Sequence, residues 1–222
     1  MYNLCLFDLD GTLIDSQEGI TKSLYHTFRF FGIPVADIGE LKKFIGPPLR
    51  DSFRTYSNLS EADIEKAIIM YREHYSEKGI YENSLYEGTM EMLSRLNAEG
   101  IQMVIATSKL TAYAEQIAER FDMKQYFDLI VGSEIDGTHT RKSEAINYAL
   151  NKIDPDRRKS AVMIGDSKYD VIGSQEVGID NISVTWGYGS RSELKEANAM
   201  KLVDSPNELC TVILGTRTES LS

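Results

Sequence analysis

Short runs that are apolar almost throughout constrain this 222-residue chain more than any other feature: Leu4–Phe7, Ile101–Ala106, Leu129–Val131, Ala161–Ile164 and Ile182–Val184, with a shorter one at Leu202-Val203. A strand with one wet face alternates apolar and polar residues, whereas a strand covered on both faces reads as a continuous apolar run. From Gly79 onward the runs are separated by helical patterns, such as Thr89–Ala98 closed by Gly100. Strand–helix alternation of this kind predicts a doubly wound, Rossmann-like α/β core with a parallel sheet between two helical layers.

One stretch interrupts the alternation. Ser16 is placed to cap a helix in which Ile20, Leu24, Thr27, Phe28 and Phe31 share a face, ended by Gly32 and Pro34. Gly46-Pro47-Pro48 then breaks the next pattern into two short helices. Ser60 and Asp63 open another, with Ile64, Ala67, Ile68, Tyr71 and Tyr75 as its apolar stripe. The reading is an α/β core of residues 1–15 and 80–222 carrying an inserted all-helical domain of residues 16–79, with hinges near Asp15 and Ile80–Glu87.

Charge narrows the function. A formal net charge of -10 argues against a general nucleic-acid or anionic-membrane binder, which needs a basic face. No run is long enough to span a bilayer, and the first residues carry no basic, apolar leader pattern. Cys5 lies in an apolar run and Cys210 in a helical one, which suggests packing over bridging in a reducing, cytoplasmic setting. Oligomeric state is read as monomer or weak homodimer.

Polar residues gather where the runs end. Asp8-Leu9-Asp10-Gly11-Thr12 follows the first, Thr107-Ser108-Lys109 the second, Lys142 lies downstream of the third, and Gly165-Asp166-Ser167-Lys168-Tyr169-Asp170 follows the fourth. Each alone has an ordinary explanation as a turn, a cap or a solvated side chain. In an open parallel sheet, however, all four fall on the carboxyl edge, where ligands bind.

Those segments, in that order, resemble the haloacid dehalogenase superfamily; the likeness runs from Leu4 to about Asp204. The helical insert resembles the small cap of the phosphoglycolate phosphatase-like branch, and Gly46-Pro47-Pro48-Leu49 and Gly187-Tyr188-Gly189 are similar to segments found there. The resemblance implies a magnesium-dependent phosphatase acting on a small phosphorylated metabolite, phosphoglycolate-like or nucleotidase-like. Asp8 would be the nucleophile and Asp10 the general acid and base. Thr107 and Lys142 would hold the phosphoryl group, with N–H groups near Leu9, Asp10 and Ser108. Mg2+ would be held by the carboxylates of Asp8 and Asp166 and the carbonyl of Asp10, with Asp170 orienting the shell. Lys142 is preferred to Lys109 because it opens a helix after a loop, although Arg141 beside it leaves the register open by one. Ser108 stands where many relatives have Asn. Arg50, and with it Lys43 and Arg54, would face the distal end of the substrate from the insert.

Two other readings fit the same residues. A phosphosugar mutase would return the phosphoryl group to a sugar. A phosphoacceptor signalling domain also gathers aspartates, a hydroxyl, a lysine and magnesium, though usually in about half this length and without a helical insert.

Overall fold

The computed structural model describes residues 2–215; Met1 and residues 216–222, which the expected core range includes, lie outside the described residues. Six strands form one sheet: β1 (Leu4–Phe7), β4 (Gln102–Leu110), β5 (Leu129–Ser133), β6 (Ala161–Gly165), β7 (Asp180–Val184) and β8 (Lys201–Val203). Their order is β5-β4-β1-β6-β7-β8 and every pairing is parallel. Numbered one to six along the chain they run 3-2-1-4-5-6, the order of a doubly wound fold whose switch point lies beside the first strand.

The apolar runs are explained by strand parity. In β1 the side chains of Cys5 and Phe7 join one buried cluster, with Met92, Leu93, Ile117, Leu209 and Cys210; those of Leu4 and Leu6 join another, with Ala145, Ile146, Ala149 and Leu150. Helices α4 (Thr89–Ala98), α5 (Thr111–Arg120) and α10 (Pro206–Leu214) supply the first layer, and α6 (Lys142–Lys152) the second. Both faces are dry, so no position in β1 is polar. Cys5 and Cys210 are buried and unbridged. Among the described residues no helix is long and apolar enough to cross a membrane.

Between β1 and β4 the chain forms α1 (Gln17–Phe30), a 3-10 segment (Ile38–Phe44), α2 (Leu49–Tyr56) and α3 (Glu61–Glu77), packed around Leu24, Phe28, Phe44 and Phe53. Phe28, Phe44 and Phe53 meet edge to face, with ring centroids 5.5–5.8 Å apart. Two expectations here change. The cap of α1 is not the Ser16 side chain: Asp15 Oδ1 accepts the Gln17 N–H at 3.0 Å. The two crossings, read as hinges, are tied together, because β2 (Ile14–Asp15) and β3 (Ser84–Leu85) pair antiparallel as a two-stranded ribbon. Two-residue strands leave no periodicity to read in a sequence.

Candidate active site

The carboxyl edge of the sheet collects the polar segments, and β1 delivers the first. Asp8 follows the strand directly, its N–H donating to the Ile164 carbonyl at 2.8 Å, so its backbone continues the β1–β6 ladder while its side chain leaves it. The carboxylate is 4% exposed. Lys142 Nζ and the Leu9 N–H both donate to Oδ1 at 2.8 Å. No donor among the described residues reaches Oδ2. The Leu9 N–H, expected in a phosphate cradle, is thus spent on Asp8 itself.

Lys142 opens α6 and is almost fully buried. Its ammonium also reaches Asp170 Oδ1 at 2.9 Å and the Ala106 carbonyl, at the end of β4, at 3.1 Å. Burial pushes its pKa down, but the carboxylates of Asp170 and Asp8 outweigh that and the net shift is upward. Arg141, the neighbour that left the register open, turns outward to Glu176 at 3.2 Å.

Asp166 follows β6 and accepts the Tyr188 N–H at 2.7 Å and the Thr12 hydroxyl at 3.3 Å. Burial first, then the charges of Asp170 and Asp8, push its carboxyl up to about 8. Asp170 accepts the Ser167 hydroxyl and N–H at 2.7 and 3.1 Å, closing the capping box of α8 (Lys168–Val177) while also facing Lys142. Burial raises it too, against the pull of Lys142. Capping and site are therefore one arrangement, not alternatives.

One oxygen each of Asp8, Asp166 and Asp170 lies within 4.8 Å of the others. Three buried carboxylates lie beside one ammonium, so their ionised forms leave an excess of negative charge. A divalent cation fits both the oxygen donors and the charge. The Asp10 carboxylate stands outside this cluster.

Asp10 belongs to a second grouping, built by an irregularity in β4. Ala106 pairs with Val131 and Leu110 with Ser133, so Thr107-Ser108-Lys109 bulges opposite Gly132 alone. A bulge re-aims side chains out of the ladder. It closes because Gly132 has no side chain: a Cβ there would lie 2.2 Å from the Lys109 carbonyl. Lys109 Nζ then reaches Asp10 Oδ2 at 2.9 Å and Tyr75 of α3 twice, donating to its hydroxyl at 2.9 Å and lying 4.5 Å from its ring centroid. Burial pushes the Lys109 ammonium down, yet Asp10 and the hydroxyls of Tyr75 and Tyr71 more than offset it. Sequence reasoning set Lys109 aside, because the bulge that aims it at Asp10 depends on Gly132 in a neighbouring strand.

Thr107 is buried at the same edge, and Ser108 Oγ is buried with no hydrogen-bond partner among the described residues. Between the insert and the sheet edge lies a cavity of about 480 Å³ with Asp8, Asp10, Thr107 and Ser108 at its base and Tyr71 and Tyr113 on its walls. Arg50 lines it too, but as a two-pronged ion pair with Glu65. Arg54 pairs with Glu61 at 2.8 Å, and Lys43 lies over the Tyr56 ring at 5.2 Å. Arg50, Arg54 and Lys43, expected to face the substrate, are thus already engaged.

Comparison with known proteins gives the family. The model of the haloacid dehalogenase-like hydrolases matches residues 5–184. A structure described as a predicted phosphatase from Clostridium acetobutylicum superposes with a TM-score of 0.92 at 46% identity, covering 97% of this chain and all of that one. A 5'-nucleotidase of Pseudomonas aeruginosa is 39% identical over 194 residues, 87% of each chain. The tyrosine-protein kinase PtkA of Mycobacterium tuberculosis is 38% identical over 84% of this chain, which spans 63% of that protein's length. The chain belongs to the haloacid dehalogenase-like hydrolases. Within that family it falls among proteins named as phosphatases.

Proposed function

We propose that the chain is a magnesium-dependent phosphatase that hydrolyses a small phosphate monoester through an aspartyl-phosphate on Asp8, with residues 16–79 acting as a cap over a core of residues 1–15 and 80–222. The observation that carries this reading is the sharing of one ammonium, that of Lys142, by Asp8 and Asp170 while Asp166 lies in the same cluster. Magnesium would be held by Asp8, Asp166 and Asp170, with the Asp10 carbonyl beside them, and would supply positive charge against the phosphoryl oxygens.

Lys142 and the Leu9 N–H fix Oδ1 of Asp8, leaving Oδ2 to attack phosphorus. As the Oδ2–P bond forms, the ester P–O bond breaks and the leaving oxygen takes a proton from Asp10. Water then attacks phosphorus, returns a proton to Asp10 and frees phosphate and Asp8. Two observations support these roles for Asp10: Lys109 holds Oδ2, and Oδ1 is buried without a partner among the described residues. Division into two steps suits a reaction whose uncatalysed barrier is very high. Thr107 and Ser108, with their hydroxyls at the base of the cavity, are the remaining candidates to bind phosphoryl oxygens.

The cavity exceeds what a two-carbon acid fills, and its tyrosine walls favour a bulky or planar leaving group. With the relative named 5'-nucleotidase, this ranks a nucleoside monophosphate ahead of phosphoglycolate. Release of inorganic phosphate from an aryl phosphate with Mg2+ tests the class, and Asp8→Asn should reduce it on the order of 10⁴-fold or more. Equal rates in the two proteins would sink the assignment of the nucleophile. Transfer to a sugar without phosphate release would favour a mutase.

A further inference from the structure

Gly187-Tyr188-Gly189, beyond β7, has no part in the chemistry above, yet it touches both the carboxylate cluster and the entrance to the insert. Its backbone runs hard against Asp166. A Cβ on Gly187 would lie 2.2 Å from the Gly11 carbonyl and 2.4 Å from the Asp166 side chain, and one on Gly189 would lie 2.0 Å from the Asp166 carbonyl. Only residues without side chains fit there. That close approach lets the Tyr188 N–H donate to Asp166 Oδ2 at 2.7 Å.

The phenol of the same residue is engaged elsewhere. It accepts the Ser16 N–H at 2.8 Å and donates to Asp15 Oδ1 at 2.9 Å. Asp15 lies in the ribbon through which the chain enters the insert, and the same Oδ1 caps α1 through the Gln17 N–H. Ser16 is buried, so its N–H has no water to turn to if the phenol is removed. Through its backbone N–H at one end and its phenol at the other, one residue thus joins a carboxylate of the cation cluster to the peptide at which the insert begins.

We propose that Tyr188 is a positioning residue that couples cation binding at Asp166 to the placement of the helical insert, each favouring the other. The inference rests on the metal and cap reading given above. Such coupling is reciprocal: what the cation does to the insert, a closed insert does to cation affinity.

Hydrogen exchange of the whole protein, with and without saturating Mg2+, reads the coupling at the amides of Asp15 to Gln17. In the wild type Mg2+ should slow their exchange about five-fold or more. Tyr188→Phe keeps the ring and the N–H to Asp166 but loses the phenolic bonds, and Mg2+ should then change the same amides by less than about two-fold. KM for an aryl phosphate should rise about five-fold while kcat falls by less than about two-fold, a split that general loosening would not give. Asp15→Asn, which keeps an acceptor for the phenol, should retain the Mg2+-linked protection. If Tyr188→Phe is unfolded at the assay temperature, Asp15→Ala, which removes the phenol's acceptor but leaves its bond from the Ser16 N–H, is read at the Ser16 amide alone, where the Mg2+-linked protection should fall by about two-fold. Calorimetric Mg2+ binding together with wild-type protection in the variant overturns this inference alone. Absence of Mg2+ binding to the wild type overturns the metal reading and this inference with it.

Discussion

The two halves of the site are built on opposite electrical terms. Beside β1 and β6, Asp8 and Asp170 share the single ammonium of Lys142, and Asp166 lies in the same cluster without an ammonium of its own. Beside β4, Asp10 has Lys109 to itself, and Tyr75 completes the lysine's surroundings from the insert. The first half is left with charge that only a proton or a cation can remove. The second is complete within the protein, but one of its members arrives on a different structural unit. One half therefore answers to ions, and the other to where the insert sits.

Removing each lysine is the harshest way to break this contrast. Lys142→Met should lower kcat on the order of 10³-fold and, without Mg2+, destabilise the protein by about 3 kcal/mol, since it leaves buried carboxylates unopposed. Lys109→Met should lower kcat on the order of 10²-fold by releasing Asp10 from its place, while leaving Mg2+ affinity within about two-fold. Steady-state kinetics, calorimetry and thermal unfolding separate the two; equal losses of Mg2+ affinity would erase the division.

Acidity sharpens the contrast at the next level. In cation-free protein the Asp166 carboxyl is pushed up to about 8, from an ordinary value of 3.8. Between those values the folded protein holds a proton that the unfolded chain has lost, so stability without Mg2+ should fall as pH rises through this window. Mg2+ must displace the proton, so its binding should weaken by up to about ten-fold per unit of acidification below pH 8 and level off above it. Thermal unfolding with chelator, and calorimetry in buffers of different ionisation enthalpy, check the two statements. The smallest effect belongs to Tyr75→Phe, which removes one hydrogen bond to Lys109 but keeps the ring beneath it. It should cost about 1 kcal/mol in transition-state stabilisation, measured as kcat/KM, with Mg2+ binding unmoved.

The core was legible because burial on both faces writes a parallel strand as an apolar run: Leu4, Cys5, Leu6 and Phe7 are all apolar and all buried. The carboxylate half was legible for a related reason, since its members follow strand ends directly or open the next helix. Geometry brings Asp8, Thr107, Lys142, Asp166 and Asp170 to one edge, as the strand order requires. The other half was hidden by the bulge at Thr107–Lys109, which depends on Gly132 in a neighbouring strand, and by Tyr75, a stripe residue whose hydroxyl matters as much as its ring. The engagement of Arg50 with Glu65 was hidden as well, because an ion pair fifteen residues apart has no local pattern. Exposed pairs of that kind contribute little to stability, and Arg50 remains free to exchange partners.

The ribbon of β2 and β3 has a consequence for how such a protein can change over time. Because Ile14-Asp15 and Ser84-Leu85 lie side by side, everything between them leaves and rejoins the sheet through a single gap one strand spacing wide. The entropic cost of spanning that gap grows only slowly with the length of what spans it. Helices of other sizes and linings can be exchanged at this position without disturbing a strand or its register, provided a group like the Tyr75 hydroxyl still meets Lys109. What the insert presents to the cavity can thereby vary more freely than what the sheet edge holds, with Tyr75 as the contact that ties one to the other.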